Sequence, residues 1–140
     1  MKHSNRYLSP EAIADGLRSG LTKAEMIALG MYSLDEKMMY AQFGISAEGL
    51  VFSYGGSDGF CRAKIICYKS KFGESLGRKY TQKKGSKPRL YLPNIGKIDW
   101  KKIAANPTEL LVITEGEKKA AAACKAGLSC IGLAGVSCYK

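Results

Sequence analysis

Two stretches of the chain carry residue types whose spacing could do chemistry. In the first, the apolar run Leu110-Leu111-Val112-Ile113 leads through Thr114 into Glu115-Gly116-Glu117 and an alanine-rich, helix-forming segment. A carboxylate where a strand hands over to a helix sits at the positive end of the helix dipole, which favours its ionised form. Glu115 is thereby placed to hold Mg²⁺ or to move a proton near a phosphate. Gly116 and, after the next apolar stretch, Gly135 have no side chain to keep a phosphate away from the backbone. The plainer role for Glu115 and Glu117 is to complement the helix dipole. In the second stretch, residues 69–102, eleven Lys and Arg face only Glu74 and Asp99. Arg78, Lys79, Lys83, Lys84, Lys87 and Arg89 are interleaved with Tyr80 and Tyr91, the mixture of cations for phosphates and ring faces for bases that single-stranded nucleic acid binders use. The competing reading is a solvated loop whose tyrosines pack inward.

These residues need elements to position them. Ser9-Pro10-Glu11 supplies a capping hydroxyl, a proline for the first helical position and an acid for the first turn, and Gly20 stops that helix. Thr22-Lys23-Ala24-Glu25 forms a capping box before a second helix that Gly30 ends, with Leu21 and Met26 spaced as a hydrophobic staple. Ser33-Leu34-Asp35-Glu36 repeats the box before a third helix ending near Gly44. The second helix carries only Lys23 as a base, so the pair reads as a structural helical hairpin rather than a groove-reading helix-turn-helix. Alternation from Leu50 to Tyr54, a turn-rich Gly55-Gly56-Ser57-Asp58-Gly59 and a run over 60–68 predict a β-hairpin. Cys61, Ala63, Ile65 and Cys67 fall on one face of its second strand. Arg62, Lys64, Ile66 and Tyr68 fall on the other, where the two bases can meet solvent or a ligand. Leu110-Leu111-Val112-Ile113 suits a strand covered on both faces. With the following helix, its cap Gly127 and the apolar 129–133, it predicts a β-α-β unit with parallel strands.

The fold class expected is therefore α+β, in three parts: a helical N-terminal segment (1–48), a basic β-rich region (49–105) and an incomplete β-α-β half-domain (106–140). With 46% apolar residues in 140, the chain can bury one ordinary core. Twenty-two Lys and Arg against 12 Asp and Glu give a formal charge of +10, which favours a polyanionic partner. No apolar run approaches a membrane span and the first residues resemble no secretory signal, so no membrane partner is expected and the location expected is cytoplasmic. Cys61, Cys67, Cys124, Cys130 and Cys138 contain no C-x-x-C pair and read as buried reduced thiols. The lone histidine, His3, leaves nothing from which to build a Cys/His zinc site or a histidine-activated nucleophile. No P-loop pattern occurs, so no NTP-hydrolysing motor is expected in this stretch.

The wording Leu111-Val112-Ile113-Thr114-Glu115-Gly116-Glu117-Lys118-Lys119-Ala120, continuing to Ile131-Gly132-Leu133-Ala134-Gly135-Val136, resembles the first half of a Toprim domain. More narrowly it is similar to the uncharacterised Toprim-like domain at the front of phage and plasmid primase-helicase proteins. Gly77-Arg78-Lys79-Tyr80-Thr81-Gln82, Pro88-Arg89-Leu90-Tyr91, Leu8-Ser9 and Gly20-Leu21-Thr22 also look like its pattern. The resemblance implies DNA replication on mobile elements, with Glu115 as catalytic acid or base and member of a Mg²⁺ site for nucleotidyl transfer. Two departures stand out. Lys119 occupies a position where many Toprim domains have aspartate, and the Asp-x-Asp strand that completes such a site is not within these residues. One glutamate cannot hold the cations such a transfer needs, so the chain alone is expected to be inactive even where the parent protein is a primase.

The resulting expectation is a nucleic-acid-handling part of a Toprim-type primase, with single-stranded DNA template as partner. Its binding residues are Arg62, Lys64, Arg78, Lys79, Tyr80, Lys83, Lys84, Lys87, Arg89 and Tyr91, holding DNA beside Glu115. The alternatives are a non-catalytic single-stranded nucleic-acid-binding module on a degenerate Toprim scaffold, or part of a Toprim nuclease. Two strands are few for such a sheet, and the second would leave its outer edge and apolar faces uncovered. This predicts either a longer protein, with a downstream helicase region, or self-association through the exposed strand.

Overall fold

The computed structural model describes residues 6–67 and 77–135. His3, Tyr68, Lys69, Lys71, Glu74, Val136 and Cys138, which entered the expectations above, lie outside the described residues. The architecture is α+β: five helices, a four-stranded antiparallel sheet and a two-stranded parallel sheet among the described residues. None of these helices is long and apolar enough to cross a membrane. The chain divides into two compact units: the described parts of Met1–Asp15 with Gly30–Ser86, and Gly16–Leu29 with the described part of Lys87–Lys140.

Helix α1, Pro10–Arg18, begins where Ser9 Oγ accepts the Ala12 amide at 3.2 Å, so the expected cap is formed. Helix α2, Lys23–Ala28, carries the full box: the Glu25 amide donates to Thr22 Oγ1, and the Thr22 amide to Glu25 Oε2. The expected repeat of that box at Ser33 is corrected. Ser33 belongs to strand β1, Tyr32–Leu34, where its hydroxyl accepts the Ser9 amide at 2.9 Å. Helix α3, Glu36–Phe43, is capped instead by Asp35, whose carboxylate accepts the Met38 amide, and ends at Gly44 in the left-handed region. A carboxylate directly before the first helical residue captures the free amides, and an extended Ser33 is one residue pair too far upstream to compete.

Strands β2, Glu48–Ser53, and β3, Cys61–Cys67, form the expected hairpin. The sheet order is β1-β2-β3-β4, where β4 is Tyr80–Gln82. Period-two alternation divides its residues between two faces. On one face Leu34, Met39 of α3, Val51 and Ala63 form a buried cluster, flanked by Tyr32, Phe43, Cys61 and Ile65. The opposite face carries Leu50, Phe52, Arg62, Lys64 and Tyr80, by the pairings Leu50↔Lys64, Phe52↔Arg62 and Lys64↔Tyr80. It is less open than its two bases suggest: Leu50 and Phe52 are fully buried, and Asp15 binds Lys64 Nζ.

The second unit holds α2, helix α4 (Trp100–Ala105), strand β5 (Val112–Glu115), helix α5 (Glu117–Lys125) and strand β6 (Cys130–Leu133). Helix α4 was not anticipated; Asp99 caps it by accepting the Lys101 and Lys102 amides. Strands β5 and β6 pair in parallel, from Val112↔Cys130 to Glu115↔Leu133, which makes the expected β-α-β crossover. Gly132 permits its close packing, since a Cβ there would stand 3.1 Å from the Gly116 carbonyl oxygen and 3.2 Å from the Ala120 Cβ.

Two expectations for this sheet are corrected. The run leading into β5 is not covered on both faces: Leu110 is 78% and Ile113 58% exposed, because Ala120, Ala121 and Cys124 of α5 are buried while the alternate side of β5 faces outward. The outer edge of β6 is not bare either. Tyr91 bridges to Gly132 through two backbone hydrogen bonds of 2.9 Å, so the strand edge without a described partner is that of β5.

Candidate nucleic-acid interface

The basic residues separate into distinct settings. In the first unit, Arg62 of β3, Arg78, Tyr80 and Gln82 of β4, and Lys83 and Lys84 of the following turn line one cleft of about 270 Å³. Register creates it. Antiparallel pairing puts Arg62 opposite Gln82 and Lys64 opposite Tyr80, so Arg62 and Tyr80 are diagonal neighbours on one face. The Arg62 guanidinium lies 5.0 Å from the Tyr80 ring centroid, a cation–π contact, and the Phe52 ring stands 6.5 Å from that of Tyr80. Arg62 is only 7% exposed, whereas Arg78, Lys83 and Lys84 are exposed at the rim. Among the described residues no carboxylate lines the cleft.

The turn that carries the two lysines is tied down. Ser86 donates to the Lys83 carbonyl from its amide at 3.0 Å and from its hydroxyl at 2.6 Å. Gln82 Nε2 donates to the Ser86 carbonyl and hydroxyl, both at 3.0 Å. Gln82, named above only within the resemblance, and Ser86 were not among the expected binding residues. Their only sequence signal is that Gln82 alternates with Tyr80 and that Gly85-Ser86 closes the turn.

The other expected binding residues are placed differently. Lys64 is on the same sheet face, with its ammonium held by the buried Asp15. Lys79 is exposed, and its carbonyl accepts the Ile65 amide at 2.8 Å, which helps to hold β4 against β3. Lys87, Arg89 and Tyr91 belong to the second unit. Lys87 and Arg89 are exposed, but Tyr91 is 2% exposed and its ring is not available to a base. Burial, and next the nearby charge of Glu117, push the Tyr91 hydroxyl far above the ordinary tyrosine range.

In the second unit Glu115 ends β5 with its side chain exposed, and Gly116 begins the turn into α5 at φ 94° and ψ 146°. That backbone conformation is essentially reserved for glycine, and it lets the Gly116 amide donate to the Leu133 carbonyl at 2.9 Å. Glu117, two residues on, turns the other way and is 1% exposed. Gly135 lies just beyond β6. The two carboxylates therefore do not converge on one exposed point. Among the described residues no group of three or more His, Cys, Asp or Glu side chains could hold a metal ion, so this donor set does not by itself fit Mg²⁺. The four described cysteines, Cys61, Cys67, Cys124 and Cys130, are free; the last two are buried, and burial raises both thiols. Cys61 and Cys67 are only partly buried.

Comparison with known proteins adds one match: residues 99–140 fit the family described as Domain of unknown function (DUF3854). No curated protein and no solved structure matches the chain.

Proposed function

We propose that the chain handles nucleic acid, with the cleft around Arg62 and Tyr80 as its contact point, as part of a protein resembling Toprim-type primases. The single observation that carries this reading is the cleft itself: its described lining gathers four cations and an aromatic ring and includes no Asp or Glu. Such an arrangement raises the local positive potential and attracts phosphates, and each phosphate bound releases counterions. The finer assignment, to a primase of phage or plasmid type with single-stranded DNA as template, rests on the resemblance of the 111–136 wording and of the Gly77-to-Gln82 segment. In that reading Glu115 serves a Mg²⁺ site only together with carboxylates from outside the described residues. The second reading, a non-catalytic binding module, is favoured by one observation: Glu117 is buried and leaves Glu115 as the single outward acid of the strand-helix junction.

The test compares two triple variants that remove equal charge. Labelled single-stranded and duplex DNA are titrated at several salt concentrations with the unaltered chain, with Arg78→Ala/Lys83→Ala/Lys84→Ala and with Lys97→Ala/Lys101→Ala/Lys102→Ala. The cleft variant is expected to bind more weakly, with a log K against log salt slope shallower by roughly 2 for single strands, from about 0.7 per lost phosphate contact. Equal weakening by both variants would reduce the effect to net charge, and absence of binding at low salt would overturn the reading.

A further inference from the structure

We infer that another cavity of the first unit is a binding site for a short organic polycation, an apolar chain carrying two or more ammonium or guanidinium groups. It shares no described lining residue with the cleft around Arg62 and stands independently of the nucleic-acid reading. Its size, its charge and a cation already seated on its wall lead to this.

The cavity measures about 750 Å³, within the range of roughly 300–1,000 Å³ usual for pockets that enclose small ligands. Its walls are held by the sheet. The Ser33 amide of β1 donates to the Tyr7 carbonyl at 2.7 Å, and the Ser33 hydroxyl accepts the Ser9 amide, so residues 7–9 run alongside β1. This brings Tyr7 and Glu11 to the same cavity as Tyr32, Asp35, Met38 and Glu48. The chain carries a formal +10, yet in the described lining three carboxylates, of Glu11, Asp35 and Glu48, meet one cation, Arg6. Among the described residues none of the three is paired with a cation. Glu48 Oε1 accepts the Ser9 hydroxyl and Asp35 Oδ1 the Met38 amide at 2.8 Å, which orients both groups and leaves each a second oxygen. Such a lining repels anions and draws cations. The acids are spread round the wall: among the described residues no group of three or more His, Cys, Asp or Glu could hold a metal ion. A compact inorganic cation therefore finds no ligand set in them. A chain with separated charges reaches several carboxylates at once and lays its methylenes against Tyr7, Tyr32 and Met38.

The seated cation is the chain's own. The Arg6 guanidinium lies 4.6 Å from the Tyr32 ring centroid, and its Nη1 donates to the Gly30 carbonyl at 3.3 Å. Among the described residues Arg6 has no carboxylate partner, so the ring face is what holds it on the cavity wall. The wall thus displays the kind of group it accepts. Arg6 is exposed, and an incoming cation displaces it without leaving a charge buried. Arg6 is an internal competitor for the ring.

The chemistry has two sources, a free polyamine and the basic side chains of a peptide, and the test separates them. Spermidine, the blocked peptide acetyl-Lys-Gly-Lys-amide, butylamine and Mg²⁺ are titrated by calorimetry into the full chain at low salt. Spermidine is expected to bind about tenfold more tightly than the single charge of butylamine, and to weaken as salt is added. Glu11→Gln/Asp35→Asn/Glu48→Gln should abolish this binding, with the fold checked by thermal unfolding. It keeps a capping side chain at position 35 and an acceptor for the Ser9 hydroxyl. Glu48→Gln alone should weaken spermidine about fivefold through one lost charge-assisted contact. Arg6→Ala should tighten it about threefold by freeing the ring, a gain that a merely structural Arg6 would not give. Competition between peptide and spermidine would assign the site to basic side chains as well, and spermidine binding without it to free polyamines; either supports the inference. Equal binding of Mg²⁺, spermidine binding unchanged in the triple variant, or no binding of spermidine or peptide would overturn it. DNA binding should survive the triple variant, so the two readings fail separately.

Discussion

The two units place their chemistry-bearing side chains by opposite means. Glu115 of the second unit owes its position to local chain order: a strand, a glycine at φ 94° and a helix follow one another within a few residues. The cleft of the first unit is assembled from separate stretches, because Arg62 reaches Tyr80 only through the β3–β4 register. The locally built site presents one outward carboxylate, and its neighbour Glu117 is buried. The assembled site concentrates four cations. A wording of consecutive residues can thus signal a junction without supplying a full set of groups, while a scattered set of lysines and arginines becomes a site only after strands pair.

Substitutions that disturb one unit's framework sharpen this contrast. The largest expected effect is at Lys64, the base of the expected interface that the structure ties to Asp15. Lys64→Met removes the ammonium from a buried carboxylate, and breaking such a pair costs about 3 kcal/mol. Chemical denaturation should show this loss, and hydrogen exchange should place it in β2, β3 and β4. An unchanged midpoint would return Lys64 to the free binding residues. Next is Gly132→Val, whose Cβ would meet the Gly116 carbonyl oxygen and the Tyr91 Cβ at 3.1 and 3.3 Å. Overpacking at that crossing costs about 2 kcal/mol, and the faster exchange it causes should appear in β5, α5 and β6. Loss confined to the antiparallel sheet would contradict the assignment of these elements to separate units.

The smallest effect expected concerns acid stability in the second unit. Glu25 is held below the usual carboxylate value of 4.5, first by the Thr22 amide and next by Lys125, whose ammonium donates to it at 3.0 Å. A carboxyl with a lowered folded pKa contributes stability above its unfolded value and loses it as pH falls through the folded one. Glu25→Gln should therefore flatten the fall of stability below about pH 4.5 and have a smaller effect at low pH than at neutral pH. An identical acid limb for both proteins would mean that the contact with Lys125 is not made in solution.

What was legible in the sequence follows the same division. Local signals sufficed for the Ser9 cap, the Thr22 and Glu25 box, the Gly44 stop, the hairpin and the β-α-β unit, since each depends on neighbours within a few residues. Ser33 misled because its type fits a cap while its backbone is drawn into β1 by pairing with β2, across an intervening helix. Tyr91 looked like a stacking ring because its neighbours are basic, but it is buried where it bridges to Gly132, far along the chain. Helix α4 was hidden within a basic stretch, with the cap at Asp99 as its one local mark. The exposure of Leu110 and Ile113 was not legible because an apolar run shows what a strand can bury, not which of its faces a helix covers.

The most direct test of the central claim is to see where a bound oligonucleotide sits. Amide hydrogen exchange of the full chain, with and without saturating single-stranded DNA at low salt, reads this without any substitution. Slowed exchange over β4 and the turn through Ser86 is the result expected from the cation-lined cleft. Saturation that leaves those amides unchanged, with protection confined to other segments, would contradict it.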